Sequence, residues 1–161
     1  MRIGVIGNNT ASLQTRRLAY EVGKEIAKGG GILICGGLGG VMEAACQGTR
    51  DAGGMTVGIL PGSSSKEANP YVSIPIVTGF SHGRNIIVVR SSEAIIAIEG
   101  SYGTLSEIAF ALILDIPVIG LNTWLPHREG HESPPLIAAK DPEEAVRLAI
   151  DSISSQKKSL E

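Results

Sequence analysis

Aromatic side chains are scarce in this chain: Phe, Trp and Tyr together make up 4% of its 161 residues. Its core must therefore be filled by Val, Ile, Leu and Ala, which an apolar fraction of 43% can supply. Charge is scarce as well, at 19%, below the quarter or so that is usual for globular domains. A chain this apolar and this weakly charged is ordered, which excludes the disordered class. Basic blocks are missing. The formal net charge is −2 and the Lys157-Lys158 pair is too small to form a polyanion-binding patch, so nucleic acid is not expected as a partner. No apolar run approaches the roughly 20 residues needed to span a bilayer, and the first one, Ile3 to Ile6, is too short for a signal-peptide core. The chain has two cysteines, Cys35 and Cys46, at a spacing that fits no zinc pattern. Both lie in apolar surroundings and read as reduced core thiols, so the expected setting is cytoplasmic, with no membrane contact.

Glycine is plentiful, with 21 residues, and it gathers at the ends of short apolar runs. These runs alternate with longer amphipathic stretches. Strands are predicted at Ile3 to Ile6, Ile32 to Cys35, Thr56 to Leu60, Val72 to Val77, Ala94 to Ile98 and Val118 to Leu121, with a last short one at Leu136 to Ala139. Pro75 puts the fourth strand at an edge or a bulge. Between them, helices are predicted over Ser12 to Lys28, where Leu18, Val22 and Ile26 recur every four residues, and over Val41 to Asp51 and Leu105 to Leu114. A final helix opens at Asp141-Pro142-Glu143-Glu144 with the inner stripe Ala145, Leu148, Ala149 and Ile153. Ser81 to Ser91 contains the β-branched run Ile86 to Val89. It is nevertheless assigned to a helix, because parallel strands on either side need a crossover. The strand runs are nearly all apolar instead of alternating, as in parallel sheets covered on both faces. The fold class is therefore α/β: a single doubly wound, Rossmann-like parallel sheet with helices on both faces. One domain spans residues 1–161, with a frayed tail from 154 onward.

Three runs end in turns that combine glycine with small polar residues: Gly7-Asn8-Asn9, Gly36-Gly37-Leu38-Gly39-Gly40 and Gly100-Ser101-Tyr102-Gly103-Thr104. Strand C-termini of an open parallel sheet share one rim, where ligands bind. Glycine allows close backbone approach, and a following helix offers free N–H groups and partial positive charge to an anion. One such turn alone is equally well explained as a tight chain reversal. The set predicts a phosphate-binding site built from Gly7, Asn8, Gly36, Gly37, Gly39, Gly40, Gly100, Ser101, Gly103 and Thr104. It is not a dinucleotide fingerprint, since Gly37-Leu38-Gly39-Gly40-Val41-Met42 lacks the last glycine and follows the second strand. No Walker-type Gly-Lys-Ser/Thr is present.

Two ionisable residues stand beside these turns. Thr104-Leu105-Ser106-Glu107 has the spacing of a capping box, with Glu107 returning to the Thr104 N–H. Arg84, in Ser81-His82-Gly83-Arg84-Asn85, is a cation at a helix start, where it opposes the helix dipole; a surface salt bridge or a bound anion would account for it. His82 has no sequence partner that would make it a proton carrier. The stretch from His127 to Glu132 has metal-like residue types, but it lies in a Gly- and Pro-containing loop and reads as solvated. No metal and no cofactor are expected.

Gly36 to Ala45, Arg84-Asn85 and Gly100 to Glu107 resemble the Lonely Guy (LOG) superfamily over nearly the whole chain. The resemblance is closest to a branch that includes molybdenum-cofactor carrier proteins, through Gly58 to Gly62 and Glu67 to Tyr71 as well. It implies a site for a phosphorylated, nucleotide-like small molecule. In the founding enzymes that site splits nucleoside 5′-monophosphates into free base and ribose 5-phosphate, with Arg84 and Glu107 at the catalytic positions and Glu107 acting as a carboxylate. It equally implies a non-catalytic carrier of a ligand such as molybdenum cofactor. A homodimer or larger homo-oligomer is implied too, and the apolar run Ile108 to Leu114 could supply its interface. The lysine decarboxylase label that members have carried finds no support in any lysine here. Glu99 and Ser101 depart from the Pro and Gly of the enzyme motif, and Ser81 to Asn85 lacks its Met-His pair and its lysine.

Overall fold

A computed structural model of the chain describes residues 1–127 and 129–158. Arg128, in the predicted solvated loop, and the end of the predicted tail lie outside the described residues. Along the chain run β1 (Arg2–Gly7), α1 (Leu13–Lys28), β2 (Ile32–Cys35), α2 (Gly40–Asp51), β3 (Met55–Leu60), β4 (Ile74–Val77), α3 (Asn85–Arg90), β5 (Ala94–Ile98), α4 (Tyr102–Ile113), β6 (Val118–Leu121), β7 (Leu136–Ala138) and α5 (Pro142–Lys158). The strands form one seven-stranded sheet in the order β4-β3-β2-β1-β5-β6-β7. Every neighbouring pair is parallel.

Two layers of core explain the apolar strands. In β5, Ala94, Ile96 and Ile98 face the layer that holds Val22, Ile26, Cys46, Ala145 and Ile153. Ile95 and Ala97 face the other, with Val88, Val89, Ile108 and Ala111. Period-2 alternation thus sends successive side chains into two helix layers, α1, α2 and α5 on one face and α3 and α4 on the other, so no strand position on β5 is left polar. Both cysteines are buried free thiols, as expected of the core, and their sulfurs lie 3.5 Å apart in hydrogen-bond contact.

Helices α1 and α2 touch backbone to backbone. A Cβ on Gly23 would sit 2.0 Å from the Ala45 carbonyl oxygen, and one on Gly48 would sit 1.9 Å from that of Tyr20. The Thr49 hydroxyl bridges the crossing by donating to the Gly23 and Ala45 carbonyls, both at 2.9 Å. Gly48→Ala is therefore expected to destabilise the fold by about 2 kcal/mol, as overpacking does, and to lower the urea midpoint with little change in slope.

The segment assigned to a helix against its β propensity is a 3₁₀ turn over Ser81–Arg84 that continues into α3. Val88 and Val89 are buried beneath it, so tertiary packing overrides intrinsic preference. Several element ends differ from expectation. β4 begins at Ile74 instead of Val72, and it is the sheet edge that Pro75 foretold. α5 does not fray at Ser154. It runs to Lys158, and its last turn is tied to the body of the protein by Lys157, which pairs with Glu93 at 2.9 Å.

Candidate functional site

From β1 the sheet grows outward to β4, and then the chain returns to the other side of β1 as β5. That reversal of strand order opens a crevice between the carboxyl ends of β1 and β5, the position where doubly wound sheets bind ligands. A cavity of about 160 Å³ lies there. Its wall contains Gly7 and Asn8 from the end of β1, Gly36 from the end of β2, Arg84, and Ser101, Gly103, Thr104 and Glu107 from the start of α4. A larger groove, about 550 Å³, lies where the chain enters β6 and β7 and is walled mainly by Leu112, Ile116, Pro117, Leu136 and Leu148, away from the glycine turns.

Of the residues predicted to hold phosphate, Gly37, Gly39, Gly40 and Gly100 are not on the crevice wall. They shape the turns that border it. Gly40 has φ +60° and its absent Cβ would lie 2.2 Å from the Asn8 carbonyl oxygen, which docks the α2 start onto the β1 turn. The Gly39 N–H donates to the Asn9 side-chain oxygen at 2.7 Å and the Val41 N–H to the Asn8 carbonyl at 3.0 Å, so hydrogen bonds tie the first two glycine turns together.

Arg84 crosses the crevice floor, only 7% exposed. Its Nη2 donates to the Gly36 carbonyl at 3.2 Å and its Nη1 to the Asn85 side-chain oxygen at 3.0 Å. A Cβ at position 36 would lie 2.5 Å from Nη2, so glycine there makes room for the guanidinium. Nε is buried without a partner. Asn85 was not singled out in the sequence as a site residue, yet it is 6% exposed and its Nδ2 donates to the Ser106 hydroxyl at 3.3 Å. Ser106 in turn donates to the Gly103 carbonyl at 2.6 Å. A relay of side chains thus ties Arg84 to the third glycine turn. Only the adjacency of Asn85 to Arg84 hinted at it, since the rest of the relay is brought together by the fold. Asn85 itself, His82, Asn9, Leu38 and Met42 also line the wall, with Val5 and Ile6.

The capping-box reading of Glu107 does not hold. α4 begins at Tyr102 with Ser101 as its N-cap, which puts Thr104 already inside the helix and turns Glu107 inward. Glu107 is 6% exposed and its Oε1 lies 3.9 Å from Arg84 Nη1. Burial pushes its carboxyl up to about 8, with the guanidinium pulling in the opposite direction. Burial thus favours the protonated form of a carboxyl that was expected to be ionised. Burial lowers the Arg84 pKa and Glu107 opposes that shift, yet a guanidinium stays charged. The Arg84 guanidinium thus brings a buried positive charge to the crevice floor, suited to an anion. Glu99 is not on the crevice wall. Its carboxylate accepts from the Thr15 hydroxyl at 2.6 Å, on the far side of the Gly100 turn.

A family profile described as the SLOG cluster4 family matches residues 1–146. Among curated relatives, an uncharacterized protein of Archaeoglobus fulgidus is 43% identical, covering 94% of this chain and 96% of its own. The cytokinin riboside 5′-monophosphate phosphoribohydrolase LOG of Oryza sativa subsp. japonica is 33% identical over 94 residues, 56% of this chain, and the match spans only 38% of that enzyme. Among solved structures, the molybdenum cofactor binding protein of Rippkaea orientalis superposes with a TM-score of 0.84 at 36% identity, covering 95% of this chain and 96% of that one. The molybdenum cofactor carrier protein of Chlamydomonas reinhardtii superposes with a TM-score of 0.82 at 34% identity, covering 95% and 98%. No helix among the described residues is long and apolar enough to cross a membrane.

Proposed function

The chain belongs to the SLOG cluster4 family, and from that premise we propose that it binds a phosphorylated, nucleotide-like small molecule in the crevice between β1 and β5. One observation carries the reading: a buried guanidinium with an unpartnered Nε lies where three glycine-rich turns converge. The backbone N–H groups at the start of α4 and the Arg84 cation complement a phosphate, and the protonated Glu107 removes the charge that would repel it. Full-length likeness to molybdenum cofactor binding and carrier proteins favours retention of the ligand without cleavage.

A second reading, hydrolysis of a nucleoside 5′-monophosphate, rests on the Arg84–Glu107 pair and on the likeness to the phosphoribohydrolase. In that case the protonated Glu107 would act as an acid toward the departing base, with Arg84 orienting the phosphate or ribose. The homo-oligomer implied by the resemblance belongs to the same proposal. Of the run Ile108 to Leu114, Ile108 and Ala111 are core, whereas Ile113 is 74% exposed and free to meet a second copy.

Mass spectrometry of small molecules released on denaturing the purified protein tests the binding reading, and incubation with AMP followed by an assay of free adenine separates the two. Release of a phosphorylated molecule on denaturation, with AMP left intact, is the expected result. Adenine release that disappears in Glu107→Ala would establish the second reading, and failure of the protein to bind any phosphorylated molecule would refute both.

A further inference from the structure

Cys35 and Cys46 are the chain's two cysteines, and neither lines the crevice. The fold nevertheless brings them together. Cys35 ends β2, Cys46 lies in the middle of α2, and both are 0% exposed. Their sulfurs meet at 3.5 Å, close enough for one thiol to donate to the other. A disulfide holds its sulfurs about 2.05 Å apart, so a bond needs a further approach of roughly 1.5 Å between the end of β2 and α2. The surroundings favour reaction. A thiol in purely apolar packing is inert, whereas N–H donors and positive charge stabilise the thiolate that reacts. Cys35 Sγ accepts from the Gly37 N–H at 3.3 Å. The Cys46 thiol most of all, and then the Gly37 N–H and the Arg84 guanidinium, lower the Cys35 pKa against the pull of burial. Cys46 shifts the other way, through its bond to Cys35 and through burial, and stays a thiol. The pair also lies next to the crevice. Gly36, the neighbour of Cys35, and Met42, one helical turn before Cys46, both stand on its wall.

We propose that Cys35 and Cys46 form an oxidisable dithiol, which hydrogen peroxide closes to a disulfide between β2 and α2, and that this bond weakens ligand binding in the crevice. Peroxide, little larger than water, enters through the crevice. The Cys35 thiolate attacks one peroxide oxygen, the O–O bond breaks, and the departing hydroxide takes the proton that Cys35 gave up and leaves as water. The Cys46 thiol then attacks the Cys35 sulfenic sulfur. The S–S bond forms as the S–O bond breaks, and the hydroxide leaves with the Cys46 proton as a second water. Two thiols are thus oxidised to one disulfide while one peroxide is reduced to two waters. The effect on the crevice passes through Gly36. Its carbonyl accepts from Arg84 Nη2 at 3.2 Å, and a Cβ there would lie 2.5 Å from the same nitrogen. In an interior packed this closely, drawing Cys35 toward α2 moves the turn that seats the guanidinium. That effect rests on the reading of the crevice as a phosphate site, whereas the bond itself does not.

The folded protein is treated with hydrogen peroxide, alkylated, denatured without reductant and digested with a Glu-specific protease. Glu43 is the one glutamate between the two cysteines, so cleavage there puts them on separate peptides. Those peptides should stay joined, and dithiothreitol should part them. Thermal melts of the treated sample should show that it is still folded. By calorimetry, ribose 5-phosphate should bind severalfold more weakly to the oxidised chain and regain full affinity after dithiothreitol. Dithiothreitol does not repair methionine sulfoxide, so a reversible loss does not come from Met42. Cys35→Ala should keep its affinity through the same treatment, and Cys35→Ser takes its place if the alanine variant does not fold. Joined peptides that never form, or form only in denatured protein, refute the dithiol. Joined peptides with unchanged affinity refute its hold on the crevice. If the reduced chain does not bind ribose 5-phosphate, the crevice reading fails and the effect on binding falls with it, while the peptides still decide the disulfide.

Discussion

Replacing Glu107 with Gln is expected to leave stability nearly unchanged near pH 5 and to raise it progressively as the pH climbs toward 9. The carboxyl goes from an ordinary 4.5 to about 8 in the folded chain. Below about pH 4.5 it is protonated in both states, and the stability it contributes is fully present. Between 4.5 and about 8 the unfolded chain has lost the proton that the folded chain keeps. Unfolding then releases a proton, and each rise in pH favours the unfolded state. Above about 8 the folded carboxyl ionises too and the loss is complete. A displacement of that size, which already includes the pull of the Arg84 guanidinium 3.9 Å away, is on the order of 5 kcal/mol. Gln has the shape and hydrogen-bonding character of the protonated acid and no proton to lose, so its profile should be flat over this window. Urea titrations of wild type and Glu107→Gln at pH 5, 7 and 9 measure the difference. A stability difference that does not change with pH would show that Glu107 is already ionised in the folded protein.

That protonation state was out of reach of the sequence, and the reason is physical. Thr104 and Glu107 have capping-box spacing, and spacing alone cannot tell whether a helix begins at position 102 or 105. The three-residue difference turns Glu107 from a solvent-facing cap into a buried acid. The sheet was legible because its central strands carry their own evidence: a nearly all-apolar run closed by a glycine-containing turn or a proline signals two covered faces. The glycine turns were legible as a set for the same reason, although their division of labour was not. Gly36 and Gly40 look alike in the string Gly36-Gly37-Leu38-Gly39-Gly40, yet one clears space for a guanidinium 48 residues later and the other for the Asn8 carbonyl 32 residues earlier. Contacts between distant segments, such as the Asn85–Ser106–Gly103 relay, are decided by the strand order, and no local pattern encodes that.

Arg84→Ala is expected to weaken binding of a phosphorylated probe, ribose 5-phosphate or AMP, by about 10- to 100-fold while the chain stays folded. A charge-assisted hydrogen bond to a phosphate contributes about 1.5–3 kcal/mol, and in this crevice Arg84 is the cation that lines the wall. Folding should withstand the change at neutral pH, because Glu107 beside it is held protonated and no unpaired buried charge is left behind. The freed acceptors, the Gly36 carbonyl and the Asn85 side-chain oxygen, line a crevice that water can enter, so the cost is on the order of 1 kcal/mol. Arg84→Lys separates charge from geometry. It restores a cation but not the planar fork that spans Gly36 and Asn85 and still presents Nε, so affinity should recover only in part. Calorimetric titrations alongside thermal melts of all three proteins make the comparison. Equal affinity in wild type and Arg84→Ala would mean that the buried guanidinium serves the fold alone. The phosphate would then be held by backbone amides, and the cation at the start of α3 would owe its place to the Gly36 carbonyl.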